Sequence, residues 1–216
     1  MIDDILATLR TSSRPLIVSD IDEVVLEFLD PFDTYLASRD HRLHPDSFRL
    51  TGNIRSTVDD LVASAALVDE FQEDFYATQH SWQKPAAHAR DVLDRLSAHA
   101  DIVFLTAMPP RHHEVRRAAL DSHALPYPMI STEEKKGPIV KSLIGDRDVP
   151  AVFIDDILYN LQSVRDHAPD CLLINLMANG TFRALAPDPG QGVLKALDWI
   201  EAERLILDHF NVPASL

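Results

Sequence analysis

Three apolar runs of this 216-residue chain end in side chains that could carry out chemistry. Asp20 and Asp22 follow the first of these runs, Thr106 follows the second, and Asp155 and Asp156 follow the third. In open α/β sheets, ligands bind outside the carboxyl ends of the strands, so these five side chains are expected at one edge of a sheet. Four neighbouring carboxylates would repel one another strongly, and Mg²⁺, which prefers carboxylate oxygens together with water and phosphate, would relieve that repulsion. The pattern therefore predicts a Mg²⁺ site that accepts a phosphate group.

The two carboxylates at the first run can divide the work of phosphoryl transfer, because Asp20 and Asp22 are two residues apart. One can attack phosphorus as a nucleophile, while the other protonates the leaving oxygen and later activates water. The hydroxyl of Thr106 and the main-chain N–H of Ala107 can bind the phosphoryl oxygens. A lysine from segment 133–138 can neutralise the charge that develops there. These residue types together predict the transfer of a phosphoryl group.

The charge balance restricts the partners of the chain. It has 34 acidic and 20 basic residues, which gives a formal net charge of −14. That excess would repel the phosphates of a nucleic-acid polymer or an anionic membrane, so neither is an expected partner. No run approaches the ~20 apolar residues that a membrane-spanning helix needs. We expect a cytoplasmic protein that binds a small phosphorylated substrate, with positive charge supplied locally; its oligomeric state stays open.

The elements that must position these residues follow from the hydrophobic pattern. Five short apolar runs are continuous rather than alternating, which is typical of strands covered on both faces of a parallel sheet. They lie at 16–19, 102–105, 127–130, 151–154 and 171–176. Helical stripes at 92–96, 115–122, 139–144 and 158–164 alternate with the later runs, and a longer amphipathic helix is predicted at 193–207. This alternation predicts an α/β fold.

The alternation is interrupted between the first two runs, where about eighty residues contain no comparable strand run. Helical stripes at 58–65 and 67–75 predict a helical insertion just after the first strand. Segment 41–53 is expected to form a loop or irregular turn inside it. Four side chains of this insertion are candidates for contact with a leaving group. They are Phe48, Arg49, Asn53 and Arg55.

The motifs, taken in chain order, resemble those of the haloacid dehalogenase-like hydrolases, and in particular the phosphatases among them. The match consists of Asp-x-Asp-x-Val at 20–24, then a threonine, a lysine and an Asp-Asp pair, and it extends over essentially the whole chain. The resemblance implies a Rossmann-like parallel-sheet core formed by residues 1–22 and 84–216. It also implies a helical cap of the C1 type, inserted after the first motif, at residues 23–83.

The resemblance also implies a role for each motif residue. Asp20 would be the nucleophile that becomes an aspartyl-phosphate, and Asp22 the acid and base. Thr106 and Ala107 would bind substrate together with the motif lysine. The Mg²⁺ ligands would be Asp20, the main-chain carbonyl of Asp22, and Asp155, with Asp156 close by.

Two features of the resemblance leave alternatives open. We favour Lys136 as the motif lysine because it starts a predicted helix nineteen residues before Asp155, with Lys141 and then Lys135 as weaker candidates. Many members of the family have glycine after the second aspartate, where this chain has Glu23. The local sequence at 20–25 is most similar to the 5′(3′)-deoxyribonucleotidase branch.

The expected function is therefore a Mg²⁺-dependent phosphomonoester hydrolase that acts on a small phosphorylated metabolite, with nucleoside monophosphates among the candidates. A phosphomutase would use the same residues but must exclude water. A haloacid dehalogenase is disfavoured because its chemistry needs no acid or base at Asp22. A phospho-acceptor receiver module is disfavoured because Asp155 and Asp156 come after Thr106 and the lysine. A scaffold of the same fold that has lost activity is the remaining alternative.

Overall fold

The computed structural model describes residues 2–212 as an α/β domain with a segment inserted after its first strand. The elements, in chain order, are α1 (Ile2–Arg10), β1 (Leu16–Ser19), α2 (Leu29–Ala37), β2 (His41–Leu43), β3 (Ile54–Ser56), α3 (Ala65–Thr78), α4 (Ala89–Ser97), β4 (Asp101–Thr106), α5 (His113–Ser122), β5 (Met129–Ser131), α6 (Lys136–Ile144), β6 (Ala151–Asp155), α7 (Leu158–His167), β7 (Leu172–Leu176), α8 (Gly180–Leu185), β8 (Val193–Ala196) and α9 (Trp199–His209). Short 3-10 turns lie at Gln79–Ser81 and Pro110–His112.

The main sheet has six strands in the order β5-β4-β1-β6-β7-β8, and every neighbouring pair is parallel. The predicted α/β class and the five predicted strands are confirmed, except that the strand predicted at 127–130 begins only at Met129. Because β1 lies between β4 and β6, the carboxyl ends of these three strands are side by side. This order brings the motif residues of the first, second and fourth predicted strands to one edge of the sheet.

Apolar side chains cover both faces of the sheet. Ile17 packs with buried residues of α4, α5 and α9 on one face, whereas Leu16 and Val18 pack with residues of α1, α6 and α7 on the other. This division follows from the strand period of two, which sends successive side chains to opposite faces. Strand β1 is fully buried as a result, so its carboxyl end is a rigid base for the residues that follow.

The predicted helix at 193–207 is wrong in its first part. Residues Val193–Ala196 form β8 at the edge of the sheet, and the helix begins only at Trp199, after an N-cap at Asp198 whose side chain accepts from the Glu201 N–H. The strand signal is weak because β8 is half-exposed and carries a lysine. An apolar pattern of this kind cannot separate a short edge strand from the start of a helix.

The segment between β1 and α4 contains two helices and a small antiparallel hairpin. The expected loop at 41–53 is wrong at its start, because β2 pairs with β3 in the register His41↔Ser56 and Leu43↔Ile54. The predicted helix at 58–65 is also wrong. Val58 is 80% exposed, and α3 begins only after Ser64, whose side chain accepts from the Leu67 N–H. The helical stripe at 67–75 is confirmed within α3.

An aromatic cluster holds the inserted segment together and attaches it to the sheet domain. Phe28, Phe32 and Phe75 contact one another with ring centroids 5.2–5.3 Å apart. Met177 and Phe182, which follow β7, belong to the same buried cluster. Apolar burial at this junction therefore fixes where the inserted segment lies over the sheet edge.

Within residues 2–212, the helices are all too short or too polar to cross a lipid bilayer.

Candidate active site

The turn after β1 places two carboxylates above the sheet edge. Asp20 continues the β1 pairing, because its N–H donates to the Ile154 carbonyl at 2.8 Å. The chain then turns sharply, and the N–H groups of Val25 and Leu26 both donate to the Ile21 carbonyl, at 2.9 and 2.8 Å. Asp20 is 6% exposed and lies at the bottom of a cavity that opens between the sheet and the inserted segment.

Glu23 follows the second motif aspartate, and its backbone conformation is one that favours glycine. Its φ is +63°, a left-handed conformation that glycine adopts without steric cost. The glutamate compensates through its carboxylate, which accepts from the N–H groups of Phe28 and Leu29 at 3.0 and 2.8 Å and from that of Asn179 at 2.6 Å. Glu23 therefore ties the start of α2 to the loop after β7.

A buried lysine links the two carboxylates on which the predicted chemistry depends. The Lys136 ammonium lies 2.7 Å from Oδ1 of Asp20 and 2.7 Å from Oδ2 of Asp155. Burial alone would lower the pKa of Lys136, but Asp155 and Asp20 outweigh that effect and raise it. The lysine is thus a permanent cation at this site. Lys135 and Lys141, the other two candidates, are exposed.

Helix α6 can deliver Lys136 to this position because the next residue has no side chain. Lys136 is the first residue of α6, and Gly137 lies directly against α7. A Cβ at Gly137 would collide with the main-chain oxygen and the side chain of Ser163. The Gly137 N–H instead donates to Ser163 Oγ at 3.2 Å. This close contact holds the start of α6 against α7.

Three buried carboxylates form a group whose geometry suits a metal ion. One oxygen from each of Asp20, Asp155 and Asp156 lies within 4.8 Å of the other two. Burial raises the pKa of Asp20 to about 7, and burial together with the charges of Asp155 and Asp20 raises that of Asp156 well above its usual range. Lys136 supplies one positive charge against three carboxylates, so the group is short of positive charge. A divalent cation with oxygen ligands would supply it, and the residues present therefore fit Mg²⁺.

Asp155 is oriented by hydrogen bonds from residues at the start of α7 and in β7. Asn160 donates from Nδ2 to both Asp155 oxygens at 3.1 Å, and the Ile157 N–H donates to Oδ1 at 2.8 Å. From β7, the Asn175 amide donates to the main-chain oxygens of Asp155 and Asp156, at 3.2 and 3.1 Å. These contacts leave the Asp155 carboxylate with a single orientation, which faces Lys136.

The Asp22 carboxylate lies apart from that group of three and contacts other residues. Its Oδ1 accepts from Arg116 Nη2 at 2.8 Å and from Gln83 Nε2 at 2.8 Å, and its Oδ2 lies 3.1 Å from the same Arg116 nitrogen. The prediction that its main-chain carbonyl binds the metal stays a prediction. The sequence analysis missed Arg116 and Gln83, since a helix residue and a loop residue without a motif give no signal.

Thr106 and Ala107 lie where the parallel sheet requires. Thr106 ends β4 beside β1 and is 1% exposed, and its hydroxyl accepts from the Met108 N–H at 3.2 Å. Thr106, Ala107 and Met108 all line the cavity next to Asp20. The structure thus brings the predicted substrate-binding residues to the same edge as the carboxylates.

The cavity above these groups has a volume of about 310 Å³, and its roof is aromatic rather than charged. Its roof is formed by Phe28, Phe48 and Tyr76 of the inserted segment, and by Phe182 after β7. Arg49 lines it as well and is exposed.

Two of the four candidates for leaving-group contact are among the residues that line this cavity, namely Phe48 and Arg49. Asn53 is buried and donates to the main-chain oxygens of Ser47 and Arg49, at 2.7 and 2.9 Å. It therefore shapes the loop that carries Phe48. Arg55 lies in β3, where it pairs with Arg42 in the hairpin.

A parallel α/β sheet with an acidic group at its carboxyl edge, covered by an insertion after the first strand, defines the class of structure. No protein-family model and no curated protein sequence matches the chain. Solved structures do match. A haloacid dehalogenase family hydrolase from Deinococcus radiodurans, with bound phosphate and sodium, is 14% identical at a TM-score of 0.61, over 94% of this chain and 99% of that one.

Two further solved structures agree with that match. A haloacid dehalogenase-like protein of unknown function from Agrobacterium tumefaciens is 14% identical, with a TM-score of 0.60 over 89% of this chain and 97% of its own. A haloacid dehalogenase-like hydrolase from Streptococcus pneumoniae is 12% identical, with a TM-score of 0.57 over 90% and 99%. The chain therefore has the haloacid dehalogenase-like fold, as the motifs predicted.

Proposed function

We propose that this protein is a Mg²⁺-dependent phosphomonoester hydrolase that acts on a small phosphorylated metabolite through an aspartyl-phosphate on Asp20. One observation carries the proposal. Asp20, Asp155 and Asp156 form a buried carboxylate group, Lys136 bridges Asp20 and Asp155, and Asp20 and Asp156 line a cavity at the carboxyl edge of the sheet. Asp20, Asp155 and Asp156 would hold the Mg²⁺, which when bound offsets charge on the phosphoryl oxygens.

The proposed reaction has two steps, and the same residues act in both. In the first, a carboxylate oxygen of Asp20 forms a bond to phosphorus, and the bond from phosphorus to the leaving oxygen breaks as Asp22 gives that oxygen a proton. In the second, Asp22 takes a proton from water, whose oxygen attacks phosphorus and releases phosphate and the Asp20 carboxylate. Thr106 and the Ala107 N–H bind phosphoryl oxygens, and Lys136 keeps the Asp20 carboxylate in place.

The cavity supports a leaving group with a flat ring, as in a nucleoside monophosphate. Phe28, Phe48, Tyr76 and Phe182 line the cavity, and aromatic rings stack well on planar groups. Arg49 can bind a polar edge of the same group. In this proposal, residues 23–83 form a cap that selects the leaving group, and a volume of about 310 Å³ restricts it to a small molecule.

Phosphate release from a panel of substrates tests the proposal directly. The panel contains nucleoside monophosphates, sugar phosphates and p-nitrophenyl phosphate, each measured with Mg²⁺ and with a chelator. We expect Mg²⁺-dependent release that Asp20→Asn abolishes and that the exposed control Asp170→Asn leaves unchanged.

Other outcomes separate the alternative functions. Turnover that survives Asp20→Asn would contradict the assignment of the nucleophile. Conversion of a sugar phosphate to its isomer without release of phosphate would identify a phosphomutase. Binding of Mg²⁺ without turnover of any ester would identify an inactive scaffold.

A further inference from the structure

A fully buried arginine lies behind the site, and no step of the proposed reaction uses it. Arg116 belongs to α5 and is 0% exposed. Its Nη2 donates to both oxygens of Asp22, at 2.8 and 3.1 Å, and its Nε donates to Oε1 of Gln79. Its guanidinium carbon lies 5.9 Å from the centre of the Tyr76 ring. We propose that Arg116 is a positioning residue, which orients Asp22 for proton transfer and couples that orientation to the inserted segment.

The burial of Arg116 needs an explanation other than stability. Burying a charge is costly, and a buried ion pair is often no more stable than apolar side chains of the same volume. Among residues 2–212, Asp22 is the one acidic side chain that forms an ion pair with Arg116. Removing either partner would leave an uncompensated charge. The pair is therefore better explained by what it does to Asp22 than by what it adds to the core.

The hydrogen bonds divide the two Asp22 oxygens between different tasks. Oδ1 accepts short bonds from both Arg116 and Gln83, which use its capacity for hydrogen bonds. Among residues 2–212, Oδ2 has only the longer contact of 3.1 Å to Arg116. Asp22 also lines the cavity beside Asp20. Oδ1 is thus the anchored atom, and Oδ2 is the atom left to give a proton to the leaving oxygen and to take one from water.

The same contacts connect Asp22 to the inserted segment. Gln79 and Gln83 follow α3, both are buried, and Gln83 also donates to the Glu27 carbonyl at 3.1 Å. Arg116, in contrast, belongs to a helix of the sheet domain. A displacement of the end of α3 would therefore change the donors around Asp22. The orientation of the acid and base depends on how that segment lies over the sheet.

The inference rests on the proposed function, and a comparison of two esters tests it. An alkyl phosphate needs a proton on its leaving oxygen, whereas p-nitrophenolate leaves without one. The value of kcat/KM reports the steps up to the first departure of the leaving group, so later action of Asp22 on water does not enter. We expect Arg116→Met to lower kcat/KM for the alkyl phosphate about 100-fold and that for p-nitrophenyl phosphate only a few-fold.

Two further variants show whether the effect passes through Asp22. Asp22→Asn should give the same selective loss, and Arg116→Met combined with Asp22→Asn should be no worse than Asp22→Asn alone.

Arg117→Met is the matched structural control. Arg117 is the next residue of α5, is 22% exposed in its side chain, and bonds Asp121 and the Tyr127 carbonyl instead. It should leave the ratio of the two kcat/KM values unchanged even if the protein melts at a lower temperature.

Several results would overturn the inference. If Arg116→Met lowers kcat/KM equally for both esters, or for neither, their ratio is unchanged and Arg116 has only a structural role. If Arg116→Met does not fold, Gln83→Leu removes the other donor to Oδ1 and must shift the ratio in the same direction by about fivefold. Wild-type hydrolysis of p-nitrophenyl phosphate that depends on Asp20 shows that the proposed function holds while the inference is tested. Absence of that hydrolysis would overturn both.

Discussion

The floor and the roof of the cavity are built in opposite ways. The floor consists of Asp20, Thr106 and Asp156 at the ends of adjacent parallel strands, with Lys136 bound to Asp20 behind the cavity lining, and these groups are buried and charged or polar. The roof is largely aromatic, and its residues come from α3, from α8, from the residue before α2 and from the long loop between β2 and β3. Hydrogen bonds between the parallel strands fix the spacing of the floor residues, whereas side-chain packing alone fixes the spacing of the roof residues. We infer that the reaction belongs to the floor and the choice of substrate to the roof.

The largest expected effect concerns the cation of the floor. Lys136→Met would leave Asp20 and Asp155 buried without their shared partner, and removal of one member of a buried ion pair costs about 3–5 kcal/mol. Without a divalent cation, the free energy of unfolding should fall by that amount, and activity should fall at least about 100-fold. Added Mg²⁺ should raise the melting temperature of the variant more than that of the wild type. Lys141→Met, which changes an exposed lysine of the same helix, is the control; equal melting temperatures in chelator would contradict the prediction.

The next effect is a dependence of stability on pH that comes from the same floor. Burial raises the pKa of Asp20 from 3.8 to about 7, so between these values the folded chain keeps a proton that the unfolded chain releases. The contribution of Asp20 to stability is therefore full below about pH 4 and is lost as pH rises to 7. In chelator, the wild type should lose on the order of 4 kcal/mol more than Asp20→Asn over this range. Urea unfolding at several pH values measures it.

Magnesium sharpens the same prediction. A cation bound by the carboxylates favours their charged form, so saturating Mg²⁺ should flatten the pH dependence of the wild type. It should have little effect on the slope of Asp20→Asn. Parallel slopes for the two proteins in chelator would show that Asp20 is ionised in the folded state throughout the range.

A smaller effect is expected from the roof, and it should depend on the substrate. Phe48→Ala removes one ring face, and an aromatic contact of this kind is worth about 0.5–1.5 kcal/mol. KM should rise about 2- to 10-fold for an ester with a ring and stay unchanged for a small alkyl phosphate. Val58→Ala is the control, because Val58 lies in the same inserted segment and is 80% exposed. An equal rise of KM for both esters would show that Phe48 does not contact the ring of the leaving group.

The smallest effect on the reaction is expected at Glu23, where floor and roof meet, because its replacement acts on stability. Glu23→Gly relieves the left-handed backbone by about 1 kcal/mol but leaves three N–H groups without their acceptor, at a cost of about 1–3 kcal/mol for each. The second term is the larger, so the free energy of unfolding should fall by at least about 2 kcal/mol. Glu23→Gln, which keeps the shape but not the charge, separates them. A gain in stability for Glu23→Gly would show that backbone strain dominates.

The difference between floor and roof also explains what could be predicted from the sequence. Asp20, Thr106 and Asp155 each follow a continuous apolar run, and parallel strands bring such residues to one edge, so their meeting is predictable. The roof lacks such a rule. The spacing of Val58 and Leu61 is typical of a helix, yet these side chains are exposed in a turn.

Two other features were unpredictable for a different reason. Arg116 has ordinary helical surroundings in the sequence, and only the tertiary fold brings its guanidinium to Asp22. Strand β8 is short and half-exposed, so its residues carry no strong strand pattern. In both cases the decisive interaction is between segments far apart in the chain, and local periodicity carries no information about it.

The contact between Gly137 and Ser163 has a consequence for the evolution of this protein. Gly137 touches neither the cavity nor the carboxylates, so a survey of side chains around the substrate would overlook it. Yet a single methyl group there would collide with Ser163, so the start of α6, which carries Lys136, would have to move away from α7. The proposed reaction thus depends on a residue that has no functional group at all. A library of variants selected for activity should tolerate many changes in the roof and almost none at this glycine.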